Sequence, residues 1–365
     1  MTTIFLTGFP GFLGSALVER LLERYPPDVT VTCLVQSKFR PQAELRAVAL
    51  LADRPGEEGR IHLVDGDITV PDLGLGEEMP ALQEATVEIF HLAAVYDLGV
   101  ERDLAMRVNV DGTHNLLRFA RRCPNLQRFH YMSTCYVSGR HPGIFRENDL
   151  NVSQTFNNWY EETKYLAELE VQQEMAAGLP ATIYRPSVVT GDSHTGATQK
   201  YDGPYYFIRW IMKQPEEVAV LPVVGRPEQV RLNVVPRDYV VDAIAYLSAL
   251  ERSVGKVYQI CDPSPPTVAE MIDAIGAATG RRIVRVPLPK GVAKSSLEHL
   301  PGVESLMGIE PELVEYFVHA TSYTCDNTQQ DLEGSGITCP PFTDYVANLV
   351  AFVRAHPGIP SNAMV

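Results

Sequence analysis

The stretch Ile4-Phe5-Leu6-Thr7-Gly8-Phe9-Pro10-Gly11-Phe12-Leu13-Gly14 decides the fold. An apolar run enters a turn with glycines at 8, 11 and 14, and an amphipathic run follows over residues 12 to 24. Glycines at this spacing let the chain turn tightly, let a pyrophosphate approach exposed N–H groups at a helix start, and let that helix pack close to its strand. The spacing is GxxGxxG rather than GxGxxG, and its position between a first strand and a first helix is the context that confirms a dinucleotide site. Gly8, Phe9, Pro10, Gly11, Phe12, Leu13 and Gly14 are therefore the expected phosphate-binding residues.

Working outward, short apolar runs alternate with longer amphipathic ones, the pattern of parallel strands joined by helical crossovers. Strands are expected near 3 to 7, 30 to 35, 61 to 64, 87 to 92, 127 to 133 and 181 to 185, with helices at 12 to 24, 41 to 52, 101 to 122 and 157 to 177. The fold class is α/β: a doubly wound parallel (Rossmann) sheet with a smaller mixed α/β C-terminal substrate lobe. The dinucleotide domain is expected over 1–190, rejoined by 231–262 through an apolar strand at 231 to 235, a helix at 238 to 250 and a run at 256 to 260. The substrate lobe takes 191–230 and 263–365, with a helix at 267 to 279 and a strand at 282 to 286. Residues 191 to 228 read as loop and lid, and the tail after His356 as loosely held.

Composition narrows the partners. The 365 residues carry 31 Lys and Arg against 45 Asp and Glu, so the formal charge is 31 − 45 = −14 and nucleic acid is disfavoured. Cys33, Cys123, Cys135, Cys261, Cys325 and Cys339 form no CxxC pair, which suits a reducing, cytoplasmic setting. No signal peptide or membrane span is expected. No ligand spacing suggests a metal, since His91 and His130 stand at strand ends without one.

The second strand ends Leu34-Val35-Gln36, with no acid close behind and Lys38, Arg40 and Arg46 following. Neutral and positive groups there suit a 2′-phosphate, so the expected cofactor is NADPH, contacted by Gln36, Lys38 and Arg46. Asp67 and Ile68 close the third strand where adenine would lie. Leu92, Ala93 and Ala94 close the fourth beside the nicotinamide ribose.

Tyr160 and Lys164 stand four apart in a helical run, on one face. With 16 tyrosines and seven lysines, roughly 0.3 such pairs arise by chance, and position after the fifth strand with its Ser133-Thr134 edge selects this one. A phenol of pKa about 10 needs a nearby ammonium and the positive ring of an oxidised nicotinamide to work near neutrality, and Lys164 is the obvious source of the ammonium. Tyr160 would protonate the oxygen as hydride reaches carbon, with the Thr134 hydroxyl polarising that oxygen. Cys135, beside Thr134, has no histidine base and reads as a packed neutral thiol.

The glycine turn, His91-Leu92-Ala93-Ala94, Asn109 in Val108-Asn109-Val110-Asp111-Gly112-Thr113, Ser133-Thr134 and Tyr160/Lys164, all in order, resemble an extended short-chain dehydrogenase/reductase over about residues 3 to 275. The resemblance implies catalytic Thr134, Tyr160 and Lys164, with Asn109 supporting the lysine through a water. Further strings are similar to the fatty acyl-CoA reductase (male-sterility) and thioester-reductase group: Ser133-Thr134-Cys135-Tyr136-Val137, Asn158-Trp159-Tyr160, and Arg185 to Gly196, which places Pro186 and Val189 at the cofactor. Gln36 departs from the arginine common in that group. The group implies NADPH-dependent reduction of an acyl thioester, on coenzyme A or a carrier protein, to an aldehyde, with the alcohol as the alternative end product. It also implies a homodimer through the helices at 101 to 122 and 157 to 177.

The alternatives are an aldehyde or ketone reductase or a nucleotide-sugar enzyme of the same branch, for which Arg281, Arg282 and Arg285 are the candidate diphosphate ligands. A non-catalytic cofactor-binding sensor is the third. Tyr205, Tyr206, Phe207, Trp210, Ile211 and Met212 offer wall and lid for an acyl chain, or simply the buried face of a helix.

Overall fold

The computed structural model describes residues 2–288, 315–316 and 321–359. Part of the expected substrate lobe and the end of the tail lie outside the described residues.

Seven parallel strands form the main sheet: β1 (Thr2–Thr7), β2 (Val29–Val35), β3 (Ile61–Asp65), β4 (Thr86–His91), β5 (Arg128–Met132), β7 (Ala181–Pro186) and β11 (Val257–Ile260). Their order is β11-β7-β5-β4-β1-β2-β3, a doubly wound sheet whose direction of winding reverses beside β1. Both faces are covered by helices, so the central strands are continuously buried rather than alternating. β2 is buried at every position. Helices Phe12–Arg24 and Arg237–Ser248 pack together on one face, where Leu17, Leu21, Val240 and Ile244 meet Ile4 and Val31. Helices Gly112–Ala120 and Trp159–Ala176 take the other, around Phe5, Ile89, Phe129 and Val171.

Short strands β6 (Gly143–Phe145), β8 (Val188–Thr190), β9 (Val218–Val224), β10 (Val234–Pro236), β12 (Arg282–Leu288) and β13 (Thr321–Tyr323) make three parallel two-stranded ribbons, β10-β8, β12-β9 and β13-β6. One expectation divides here. The run at 256 to 260 rejoins the main sheet as β11, whereas the strand expected at 231 to 235 is β10 and pairs with β8 outside it. Proline at 186 has no N–H for the ladder, Ser187 still donates to the Ile260 carbonyl at 3.1 Å, and from Val188 the chain pairs with β10 instead.

The stretch from 191 to 228 is more regular than expected. It holds a helix, Pro204–Met212, and β9. Tyr205, Phe207, Ile208 and Ile211 enter a second core with Met271, Ile275, Tyr345 and Leu349, contributed by helices Val268–Thr279 and Phe342–Ala355. Thr267 and Glu270 cap the first of these reciprocally, and Gly280 ends it at φ 73°. The helix expected over 101 to 122 is broken by a π-helical turn at Met106–Asp111, the segment that carries Asn109.

Candidate functional site

A cavity of about 520 Å³ runs along the C-terminal edge of β1, β4, β5 and β7. Its floor is the glycine turn. Gly8 has φ 97°, and a Cβ there would lie 2.9 Å from the backbone of Leu92 and Ala93, so only glycine lets the β1 and β4 ends meet. A Cβ on Gly14 would collide with the Gly8 carbonyl oxygen. No side chain caps the helix start at Gly11. Its first amides therefore face the cavity as an anion cradle, and the residues fit a dinucleotide pyrophosphate.

Of the expected cofactor residues, Gly8 to Gly14, Gln36, Lys38, Asp67, Ile68, Leu92, Ala93, Ala94, Pro186 and Val189 all line this cavity. Arg46 does not: it lies on the helix Arg40–Leu51, half-buried and away from the lining. Arg40 is taken by Glu44 at 2.9 Å and Asp65 at 3.1 Å. The amide of Gln36 donates to Asp67 at 2.8 Å, which leaves Lys38 as the cation at this end of the lining.

Behind Ala93, Thr7, His91 and Thr113 form a buried chain. The Thr113 hydroxyl donates to the Asn109 carbonyl at 2.7 Å, so it accepts from His91 Nε2 at 2.9 Å, while Nδ1 accepts from Thr7 at 2.8 Å. Burial, reinforced by the Lys164 charge, lowers His91 to about 3 and keeps it neutral. Thr7 in turn accepts the Ala93 N–H at 3.2 Å.

The helix Trp159–Ala176 starts where Asn158 Oδ1 accepts the Glu161 N–H at 3.0 Å. That start places Tyr160, Lys164 and, from the end of β5, Thr134 around one point of the cavity. Thr134 Oγ1 donates to the Pro186 carbonyl at 3.4 Å and accepts the Tyr136 N–H at 3.2 Å. Burial pushes Tyr160 up, and the Thr134 hydroxyl beside it only partly offsets this. Lys164 donates instead to the Met132 carbonyl at 2.6 Å and the Tyr131 hydroxyl at 3.0 Å, and its own burial lowers it to about 7. Tyr160 is therefore a protonated acid at neutral pH.

Asn109 Oδ1 accepts the Val95 N–H at 2.9 Å and its Nδ2 donates to Thr163 at 3.0 Å. It ties the loop after β4 to the helix one residue before Lys164. Glu168, one turn beyond Lys164, is fully buried with Arg185 at 2.5 Å and accepts from Ser133 at 2.5 Å. Cys135 is buried and donates to the Arg185 carbonyl at 3.0 Å.

Several residues of the site escaped sequence reasoning. Tyr96, Leu98, Tyr136, Val188, Leu232 and Tyr316 wall an aromatic extension beyond Tyr160, together with Lys200, Asp202 and the expected Tyr206. Tyr136 follows Thr134 closely in the chain, yet nothing in its spacing marks it as a wall of the cavity. Lys200 and Asp202 carry no spacing signal. Of the aromatic run after Gly203, Tyr206 alone lines the cavity among the described residues, and the rest of that helix face is core. Arg281, Arg282 and Arg285 do not line it, and Arg281 instead holds backbone carbonyls of 212 to 215. Among the described residues no group of side chains suits a metal ion, and no helix is long and apolar enough to cross a membrane.

Comparison with known proteins agrees with this geometry. The chain is 31% identical over 273 residues to the non-canonical nonribosomal peptide synthetase cpsA of Aspergillus campestris, covering 70% of this chain and 25% of that protein. It is 27% identical to aldehyde reductase lnbA of Aspergillus flavus, covering 95% of this chain and 34% of that one, so it spans about a third or less of these relatives. The crystal structure of the terminal R domain from the myxalamid PKS-NRPS biosynthetic pathway superposes with a TM-score of 0.81 and 29% identity, covering 99% of this chain and 93% of that domain. The family described as male sterility protein, an NAD-binding family, matches residues 6–244, and the chain belongs to it, on the extended short-chain dehydrogenase/reductase fold.

Proposed function

We propose that this protein is an NADPH-dependent reductase of an acyl thioester, held on coenzyme A or a carrier protein, that releases an aldehyde. One observation carries the reading: the cavity that joins the glycine cradle to Thr134, Tyr160 and Lys164 shares Tyr96, Tyr136, Tyr160 and Val188 with a smaller, mainly aromatic cavity beside them. That smaller cavity suits an apolar acyl group next to the reacting carbon. The myxalamid R domain and the aldehyde reductase relative support the same chemistry.

When bound, the nicotinamide supplies hydride. The chain's own residues do the rest. Tyr160, kept protonated by burial, gives its proton to the developing oxyanion, and Thr134 hydrogen-bonds the same oxygen. Lys164, anchored on the Met132 carbonyl and the Tyr131 hydroxyl, fixes the helix turn that carries the phenol against the end of β5. Lys38 supports NADPH over NADH, because a cation at the end of β2 offsets a 2′-phosphate.

The test is nucleotide oxidation, followed by absorbance, with a long-chain acyl-CoA, the matching aldehyde, simple ketones and nucleotide sugars, each with NADPH and NADH. Oxidation of NADPH with release of free thiol is expected with the acyl-CoA. Activity on the aldehyde or ketone alone would move the function to carbonyl reduction, and activity only on a nucleotide sugar would refute the reading.

A further inference from the structure

Glu161 follows Tyr160 in the chain, and its side chain is fully buried. Three residues after the cap Asn158, it stands where a glutamate closes a local box by accepting the N–H of the cap residue itself. Here it turns elsewhere. Oε2 accepts the Asn157 N–H at 2.8 Å, the Asn157 amide donates to both oxygens at 3.1 Å, and Oε1 accepts the Tyr316 hydroxyl at 2.6 Å. Asn158 Nδ2 donates to the same hydroxyl at 3.0 Å, while its Oδ1 caps the helix.

Tyr316 comes from 155 residues further along the chain. Its ring lies edge-on to Tyr136 at 4.9 Å between centres, and Tyr136 is the residue whose N–H Thr134 accepts. The same ring walls the aromatic cavity on the acyl side. One side chain, distant in sequence, therefore reaches the turn that carries Tyr160, the turn that follows Thr134, and the space for the acyl group. We propose that Tyr316 is a positioning residue of the reduction: its hydroxyl, through Asn158 and Glu161, sets the first helical turn so that the Tyr160 oxygen meets the carbonyl oxygen beside Thr134, while its ring bounds the acyl group. The role rests on the reading above that Tyr160 gives the proton, and it serves a thioester and an aldehyde alike. A local box would hold the helix start by itself. With the tie routed through Tyr316, the acid is in place only when that wall of the acyl cavity is seated.

Three variants separate the parts. Tyr316→Phe deletes the hydroxyl and keeps the wall, Tyr316→Leu deletes both, and Asn158→Ser keeps a good cap while losing the amide that meets Tyr316. Each is compared with the parent on the long-chain acyl-CoA and the matching aldehyde, with melting temperature and NADPH affinity measured alongside. Tyr316→Phe should lose about 10- to 100-fold in kcat, the scale of a misplaced reacting group, with KM and NADPH affinity near the parent's. Tyr316→Leu should raise KM as well. Asn158→Ser should lower kcat in the same way, and adding it to Tyr316→Phe should cost little more, since both break one tie. Undiminished kcat in Tyr316→Phe, a change confined to KM, or losses that multiply in the double variant would overturn the assignment. If Tyr316→Phe loses its fold or its NADPH binding, Asn158→Ser decides, and undiminished kcat there overturns it. A parent that reduces the aldehyde and no thioester would overturn the thioester reading alone, because the tie is then judged on the aldehyde; a parent that reduces neither would overturn both.

Discussion

Lys164 donates its ammonium to the Met132 carbonyl at 2.6 Å, so the helix carrying Tyr160 is tied to the strand that runs into Ser133 and Thr134. Burial lowers this lysine to about 7, against about 10.4 in an unfolded chain. Between those values the unfolded state holds a proton that the folded state has released, so stability rises with pH across the window. Urea unfolding of the cofactor-free protein at pH 6.5 and 9 should show the parent gaining on Lys164→Met, with a slope of up to about 1.4 kcal/mol per pH unit. Parallel pH profiles would contradict the buried lysine.

Tyr160→Phe should cut turnover by about 10²- to 10⁴-fold while NADPH still binds, since the ring keeps its edge contact with Tyr96 and only the proton is lost. Fluorescence titration and steady-state rates check the two halves. Undiminished turnover would remove the phenol from the mechanism.

Gly8→Ala forces a methyl against the Leu92 and Ala93 backbone at a φ that L residues resist. The left-handed conformation alone costs about 1–2 kcal/mol. We expect weaker nucleotide binding, at least tenfold, with a lower melting temperature. Calorimetric titration with NADPH measures the first directly.

Lys38→Glu should reverse the coenzyme preference, because Arg40 is already paired and Arg46 faces elsewhere. The readout is the ratio of kcat/KM for NADPH to that for NADH, which should fall well below the parent value. An unchanged ratio would locate phosphate recognition elsewhere.

Breaking the buried Arg185–Glu168 pair from one side leaves a charge in the core. Glu168→Gln should destabilise by about 3–5 kcal/mol by chemical unfolding. The double variant Glu168→Gln with Arg185→Met should recover part of that loss, since it removes the stranded guanidinium as well.

The parallel sheet was legible from Ile4-Phe5-Leu6 and its counterparts because strands covered on both faces read as unbroken apolar runs, and the glycine turn was legible because only one backbone shape uses it. Tyr160 and Lys164 could be placed because helix geometry converts a spacing of four into one face. Lys200 and Asp202 could not, since what brings them to Tyr160 is the path of a loop after β8, for which no periodicity exists. Arg46 differs for the opposite reason: nearness in sequence to the end of β2 did not bring it into the cavity lining, since it lies on the helix Arg40–Leu51 beyond Lys38. The aromatic run after Gly203 has a helical period, and that period belongs to the second core.

The position of β11 bears on how the molecule is made. This edge strand begins at Val257 and pairs with β7, which ends at Pro186, so about 70 intervening residues must emerge before the main sheet can be completed. Beyond β11, Glu147 accepts the N–H groups of Gln259, Asn327 and Thr328, so the sheet's last contacts wait for residues near the C-terminal end. Pairings of such long separation are slow to close. On the ribosome, β7 should therefore stand as an open sheet edge, and its hydrophobic cover is the part of this chain with most to gain from a chaperone.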